Sequence, residues 1–187
     1  MKYAMNLEMK GRRCVVLGGG PVALRKVRRL VRAAAAVTVV APVAVMELAE
    51  LALTERIAWQ KRGYEESDLD GAFLVVCATD DAAVNTQAAQ AAKARGVLVN
   101  APAQPSLSDF TVPASLSRGK LLFTISTDGG SPALSRAIRQ QLEALYPKSF
   151  GNWLEMVAAL REEQKERPAT ARDRERFWRM ALDDGSL

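Results

Sequence analysis

Short apolar runs alternate with helical patterns through the first hundred residues, and this alternation constrains the fold more than any other feature. Runs rich in β-branched residues predict five strands, at residues 13–17, 37–41, 57–60, 73–78 and 97–100. Between them, apolar residues at helical spacing predict helices from residue 20, around residues 45–52 and at residues 80–95. Repeated β–α alternation predicts an α/β fold with an open, mostly parallel sheet covered by helices on both sides.

The chain changes character after Asn100. Residues 101–108 contain two prolines and predict a loop that leaves the carboxyl end of the fifth strand, where doubly wound sheets bind ligands. Residues 110–116 and 121–127 predict a hairpin with its turn at 117–120, followed by helices at 132–145, 149–166 and 171–182. We therefore expect three regions, comprising residues 1–112, 113–146 and 147–187.

The composition excludes several kinds of active site. The chain of 187 residues has no histidine, which rules out Ser-His-Asp and Cys-His nucleophiles and histidine-ligated zinc. Its two cysteines, Cys14 and Cys77, lie in apolar runs, so we expect buried thiols, no disulfide framework and no metal site. The longest apolar stretch is too short to span a bilayer, and the start has no apolar signal core. We expect a cytoplasmic protein without a membrane segment.

Positive charge is concentrated at the start of the chain. The net charge is +5, and the first 32 residues hold nine Lys and Arg side chains against Glu8 alone. Such a cluster can attract phosphates or a polycarboxylate, but it is equally compatible with a solvated helix face. A nucleic-acid partner is not expected, because no aromatic residues are interleaved and no reader motif is present.

A glycine-rich loop follows the first strand. The stretch from Gly18 to Ala23, GGGPVA, matches the pattern G-x-G-x-x-G/A. In this pattern the first glycine permits a tight turn, the second lets the backbone approach a diphosphate, and the third small residue lets helix and strand pack closely. The context favours a Rossmann-like dinucleotide site over a plain glycine turn, with Gly18, Gly20, Pro21 and Val22 as cofactor contacts.

The second strand lacks the residue that usually holds the adenosine ribose. It ends at Ala41 and Pro42, with no acid for a ribose hydroxyl and no arginine for a 2′-phosphate, so the choice between NAD and NADP stays open. Backbone groups of Ala41, Pro42 and Val43 are the candidate contacts instead. Thr79, after the fourth strand, is a further candidate contact, although it could equally be the N-cap of the next helix.

A second glycine-containing junction joins a predicted strand to a predicted helix at residues 126–132, STDGGSP. Thr127, Gly129, Gly130 and Ser131 are candidates for binding a substrate carboxylate at the helix end. Ordinary capping, with Ser131 as N-cap and proline at the first helical position, explains the same residues equally well.

Several stretches together resemble the precorrin-2 dehydrogenase / sirohydrochlorin ferrochelatase family, the N-terminal module of siroheme synthases. They are VVLGGGPVALRKVRRL at 15–30, CATDDAAVN at 77–85, VN at 99–100, SDFTVPA at 108–114, STDGGSPALSR at 126–136 and RERFWRM at 174–180. The resemblance implies an NAD-binding Rossmann domain in which Asn100 also contacts the cofactor, a dimerisation region, a C-terminal helical segment and a homodimer with shared active-site clefts. The implied reaction is oxidation of the tetrapyrrole precorrin-2 to sirohydrochlorin, to which some members add insertion of Fe²⁺.

The chain departs from this family at one position. Members carry an aspartate three residues after the asparagine that matches Asn100, and it is tied to proton handling and chelation; here that position is Ala103. Asp109 is the remaining candidate catalytic carboxylate in the stretch. The departure makes metal insertion doubtful, because an alanine cannot accept a pyrrole proton. The alternatives are a non-catalytic NAD- or tetrapyrrole-binding module and a bifunctional dehydrogenase and ferrochelatase.

Overall fold

A computed structural model describes residues 3–166, 170, 172–173, 175–176 and 179. The chain divides into two compact units, Met1–Val112 and Pro113–Leu187. The division of the second part at residues 146 and 147 stays a prediction. The helix expected at residues 171–182 falls largely outside the described residues.

The first unit is built on a parallel five-stranded sheet. Its order is β3-β2-β1-β4-β5, and every pairing is parallel. The strands are β1 (Arg13–Leu17), β2 (Ala36–Val40), β3 (Ala58–Gln60), β4 (Leu74–Cys77) and β5 (Leu98–Asn100). The helices are α1 (Pro21–Arg32), α2 (Met46–Leu53) and α3 (Ala82–Ala94). This arrangement confirms the predicted Rossmann-like α/β fold.

The central strands are apolar on both faces because helices cover both. Cys14 and Val16 of β1 pack on the side of α1 and α2, whereas Val15 and Leu17 pack on the side of α3. Successive strand side chains point to opposite faces, so a doubly covered strand has to be apolar at every position. The two thiols are buried as predicted, and burial raises the pKa of Cys14 to about 11 and that of Cys77 to about 12.

An ion pair closes the segment that follows β3. The guanidinium of Arg62 donates two hydrogen bonds, of 2.9 and 2.6 Å, to the carboxylate of Asp68, which also accepts from the Glu65 amide at 2.9 Å. Burial raises the pKa of Asp68, but hydrogen bonds from Arg62 and Glu65 outweigh it, so the pKa lies below the ordinary value. The pair thereby holds Gly63 and Tyr64, which lie between its partners in the chain.

Removing this charge should destabilise the fold in a pH-dependent way. Arg62 is 36% exposed, so for Asp68→Asn we expect a loss at the low end of the range for charged hydrogen bonds, about 1.5 kcal/mol at pH 7. Because the folded-state pKa is lowered, the contribution is complete above about pH 4 and disappears as the pH falls through the folded-state pKa. Urea unfolding at a series of pH values from 7 down through the acid range measures it, with the exposed Asp70→Asn as matched control. A difference that persisted in acid would contradict this assignment.

The second unit contains a hairpin and two helices. The strands are β6 (Ala114–Arg118) and β7 (Leu121–Ile125), which pair antiparallel, and the helices are α4 (Pro132–Leu145) and α5 (Phe150–Glu166). A series of ring contacts at about 5 Å joins β7 to both helices through Phe123, Tyr146, Phe150 and Trp153. Arg118 adds a hydrogen bond from its Nε to the carbonyl of Tyr146, at 2.7 Å.

The hairpin is shorter at its start and tighter at its turn than the sequence pattern indicates. The strand begins at Ala114 instead of residue 110, because the carbonyl of Phe110 accepts a hydrogen bond from Asn100 and Pro113 has no amide proton. The turn is confined to Gly119 and Lys120, and Gly119 has φ +57°. Within the described residues, no helix is both long and apolar enough to cross a membrane.

Candidate dinucleotide site

A cleft of about 820 Å³ opens at the carboxyl ends of the central strands. It is enclosed by the loops that follow β1, β2, β3 and β4. Its lining comprises Gly18, Gly19, Gly20, Pro21, Val22, Val40, Ala41, Pro42, Val43, Ala44, Val45, Gly63, Tyr64, Ala78, Thr79, Asp80, Asp81 and Val84. Eight of the nine residues predicted to contact a cofactor therefore lie around one cavity; the exception is Asn100.

Two glycines shape the loop by close backbone approach. Gly18 has φ +109°, and a Cβ there would lie 2.4 Å from the carbonyl oxygen of Ala78. A Cβ on Gly19 would lie 2.0 Å from the carbonyl oxygen of Val43, and the Gly19 carbonyl accepts a hydrogen bond from the Val45 amide at 2.8 Å. The loop after β1 thus packs directly on the loops after β4 and β2. The motif G-x-G-x-x-G/A treats Gly19 as a variable position, so it did not predict that Gly19 packs against the loop after β2. The only sequence signal for this packing was the run of three glycines.

Gly20 differs from its two neighbours because its missing side chain faces open space. A Cβ built on Gly20 meets no atom within 4 Å, and its φ of −86° is accessible to any residue. Gly20 is also the N-cap of α1, where no side chain bonds the first helical amides. Ala23 is fully buried, which permits the close packing that the motif requires. These amides, the helix dipole and the open space above Gly20 fit a diphosphate.

The end of the cleft that is predicted to contact the adenosine is lined by residues of the loops after β2 and β3. Ala41, Pro42 and Val43 lie in the lining as predicted, and the carbonyl of Ala41 accepts a hydrogen bond from the Trp59 indole at 2.9 Å. Tyr64, which no sequence pattern marked as a site residue, also lines the cleft from the loop closed by Arg62 and Asp68. No lysine or arginine belongs to the lining in the described part of the chain.

Thr79 is held in the cleft by a buried asparagine. Its hydroxyl lies 2.9 Å from Oδ1 of Asn85, and Nδ2 of Asn85 donates to the Thr79 carbonyl at 2.9 Å. Asn85 is only 2% exposed and was not predicted. The alternative that Thr79 is the N-cap of α3 is wrong: Asp81 caps this helix, its carboxylate accepting from the Ala83 and Val84 amides. The aspartate two residues later accepts hydrogen bonds from helix amides better than the threonine does.

Asn100 and Asp109 lie outside this lining. The Asn100 side chain accepts a hydrogen bond from Nζ of Lys26 at 2.7 Å and donates one to the Phe110 carbonyl at 3.0 Å. The Asp109 carboxylate accepts from the Val99 amide at 2.9 Å and lies 3.6 Å from Nζ of Lys93. The structure therefore places Asp109 as an anchor of the segment after β5. Ala103 is exposed in a turn of that segment.

The predicted carboxylate site in the second unit is a hydrogen-bonded junction. Its side chains are engaged locally: the Thr127 hydroxyl accepts from the Ser131 amide at 3.0 Å, and the Ser131 hydroxyl accepts from the Leu134 amide at 3.2 Å. Gly129 has φ +87°, and the Gly130 amide donates to the Thr127 carbonyl. Ser131 is the N-cap of α4, with proline next, as the capping alternative predicted. Substrate binding by these residues stays a prediction.

The parallel sheet, the glycine loop and the open N-terminus of α1 define a dinucleotide-binding Rossmann protein. A family model for NAD(P)-binding domains matches residues 5–114. The solved structure "SirC, precorrin-2 dehydrogenase" superposes with a TM-score of 0.81 and 30% sequence identity, covering 98% of this chain and 90% of SirC. The chain therefore belongs to the precorrin-2 dehydrogenase family, which confirms the resemblance seen in the sequence.

Longer proteins are similar to this chain over part of their length. The "Siroheme synthase" of Thioalkalivibrio sulfidiphilus is 38% identical over 181 residues, which are 97% of this chain and 37% of the relative. The "Siroheme synthase" of Methylobacillus flagellatus is 40% identical over 172 residues, which are 92% of this chain and 37% of the relative. The chain thus spans well under half the length of these curated relatives.

Proposed function

We propose that this protein is an NAD-dependent precorrin-2 dehydrogenase that forms sirohydrochlorin in siroheme biosynthesis. In the balanced reaction, precorrin-2 and NAD⁺ give sirohydrochlorin, NADH and a proton. The observation that carries the proposal is the open space above Gly20 at the start of α1, in a chain that matches SirC over nearly its whole length. Activities that belong to the remaining length of the siroheme synthases are not assigned to this chain.

The charge of the cleft supports NAD over NADP. A 2′-phosphate at the adenosine end would normally pair with an arginine or lysine. The described lining has neither, so it offers no cation to neutralise a 2′-phosphate. We therefore infer that NAD⁺ is preferred.

The residues of the chain act by binding and orientation. The amides at the start of α1 would hold the diphosphate, and the backbone at Ala41–Val43 would contact the adenosine. Thr79, which is held by Asn85, would form the wall of the cleft beyond the diphosphate. A bound nicotinamide supplies the hydride acceptor. Holding a substrate carbon against it provides much of the rate enhancement, because orientation replaces a costly bimolecular encounter. A polycarboxylate substrate also suits the cationic N-terminal third.

The test is an anaerobic assay that combines the protein with precorrin-2 and either NAD⁺ or NADP⁺. We expect NADH absorbance and sirohydrochlorin absorbance to rise together, at a higher kcat/KM with NAD⁺ than with NADP⁺. Absence of NADH formation would overturn the dehydrogenase, and a preference for NADP⁺ would overturn the cofactor assignment.

One observation favours a second candidate, a non-catalytic NAD- or tetrapyrrole-binding module. Ala103 has no proton acceptor, and the Asp109 carboxylate is bonded to the backbone of β5. Such a module would bind NAD⁺ in a titration and produce no NADH with precorrin-2. The same pair of measurements therefore separates the two candidates.

We propose that the protein is a homodimer that assembles through its second unit and acts in the cytoplasm. Large apolar side chains of this unit are exposed, including Leu122 at 47%, Leu134 at 51% and Leu145 at 71%. Exposed apolar patches commonly mark association surfaces. Light scattering of the purified chain tests the expected mass of two copies.

A further inference from the structure

A half-buried lysine connects helix α1 to the end of strand β5. Lys26 lies on α1, two turns after the glycine loop, and its Nζ donates to Oδ1 of Asn100 at 2.7 Å. Asn100 is the last residue of β5 and is only 4% exposed. Its Nδ2 donates a hydrogen bond to the Phe110 carbonyl at 3.0 Å. Lys26 therefore orients the side-chain amide of Asn100, in which both the oxygen and the nitrogen are hydrogen-bonded.

The hydrogen bond from Asn100 to Phe110 is one of three connections, made by consecutive residues, that hold the loop after β5. Val99 exchanges hydrogen bonds with Asp109, through the Asp109 amide and carboxylate, both at 2.9 Å. The Ala101 amide donates to the Ser108 hydroxyl at 2.8 Å. The attachment between Asn100 and Phe110 lies beside these two, and it depends on a residue of α1. The loop closed in this way carries Ala103 at the carboxyl edge of the sheet.

Stability alone gives little reason to place a lysine here. Burial, together with the smaller effect of the Arg25 and Arg29 charges on the same helix, lowers the pKa of Lys26 to about 8. A folded-state pKa below the ordinary value means that the protonated lysine costs folding free energy below about pH 8. A neutral side chain at this position would avoid that cost, and together with the hydrogen bond to Asn100 this points to a role of Lys26 beyond stability.

We propose that Lys26 is a positioning residue for precorrin-2 oxidation, which holds the loop of residues 101–110 through Asn100 so that the substrate lies correctly against the nicotinamide. The inference rests on the proposed dehydrogenase activity. Neither Lys26 nor Asn100 belongs to the cleft lining, so the role concerns the position of the substrate and leaves NAD⁺ binding untouched.

The experiment compares NAD⁺ affinity with turnover in the full chain. For Lys26→Met, which keeps the aliphatic part and removes the donor, we expect a Kd for NAD⁺ within about twofold of wild type. The kcat for NADH formation should fall about 100-fold, the size of effect expected when reacting groups are displaced by about 1 Å. Lys26→Arg, which retains the charge and a donor, should recover part of the lost kcat.

A double-mutant cycle shows whether Lys26 acts through Asn100. The variant Asn100→Leu should lose turnover to a similar extent, and the double variant Lys26→Met/Asn100→Leu should be no slower than the slower single variant. Lys120→Met is the matched control, since Lys120 is an exposed lysine in the turn between β6 and β7, outside the cationic N-terminal third. It should keep both kcat and Kd. If Lys26→Met does not fold, Lys26→Gln replaces it in the cycle, because its side chain is too short to keep the hydrogen bond to Asn100 and still has a polar end.

Each outcome is decisive. An active wild type with unchanged turnover in Lys26→Met, an equal loss of NAD⁺ affinity and turnover, or additive losses in the double variant would each overturn the positioning role while leaving the dehydrogenase intact. A wild type that forms no NADH overturns the proposed function itself, and the inference with it.

Discussion

Replacing Gly20 by alanine should weaken NAD⁺ binding about 100-fold, the equivalent of two or three kcal/mol of lost charge-assisted hydrogen bonds. The added methyl group would occupy the open space above the start of α1, where the diphosphate has to approach the helix amides. It meets no atom of the protein within 4 Å, and the φ of −86° suits alanine. The fold should therefore lose less than about 1 kcal/mol, the cost of a poorer N-cap. Calorimetric titration with NAD⁺ and thermal unfolding measure the two quantities separately.

Two other glycines provide the comparison for this variant. Gly18→Ala should lose both stability and affinity, because its Cβ would lie 2.4 Å from a backbone oxygen at a φ of +109°. Gly96→Ala, after α3, meets no atom but has φ +70°, so it should cost about 1 kcal/mol of strain and leave NAD⁺ affinity unchanged. Wild-type affinity in Gly20→Ala would show that the diphosphate does not bind here.

Replacing Ala103 by aspartate should create or strongly raise metal insertion into sirohydrochlorin. A positioned proton acceptor contributes about 100-fold or more to such steps, and the alanine methyl group cannot act as one. Ala103 is exposed in a turn, a setting that accommodates aspartate well, so the variant should fold normally. The measurement is the rate of sirohydrochlorin metallation by Fe²⁺ or Co²⁺ under anaerobic conditions, with the uncatalysed rate as baseline.

Ala103→Asn serves as its control, because asparagine has nearly the same shape and cannot take up the proton. We expect its metallation rate to equal that of the wild type. Fast metallation by the wild-type protein would show that metal insertion does not require a carboxylate at position 103. An inert Ala103→Asp would instead show that the loop after β5 does not present this position to the macrocycle.

The cofactor loop was predictable because its signals are local. A strand, three glycines and a helix follow one another within twenty residues. The backbone conformation that the loop requires, such as the φ of +109° at Gly18, occurs at a glycine that can adopt it. The same locality explains why Ser131 was correctly expected as a helix cap. It also explains one error, since Thr79 and Asp81 are both good caps by sequence and only the position of Asn85 assigns them different roles.

Other parts of the site depend on residues that are distant in the chain. Asn100 was expected to contact the cofactor, yet its side chain bonds to Lys26, which lies 74 positions earlier. Lys26 itself could be counted only as one of many cations near the start of the chain. No periodicity or motif relates two such positions, because their contact arises when α1 and β5 pack on one sheet.

The order of residues by itself thus determined the strands, the helices, the glycine loop and the family, all of which are written in short-range patterns of apolar, small and turn-forming residues. Tertiary structure alone decided which polar side chains face the cleft and which are consumed in holding it together. The physical reason is that a buried polar group must find a partner, and the partners of Thr79, Asn100 and Asp109 are supplied by whatever the folded chain brings beside them.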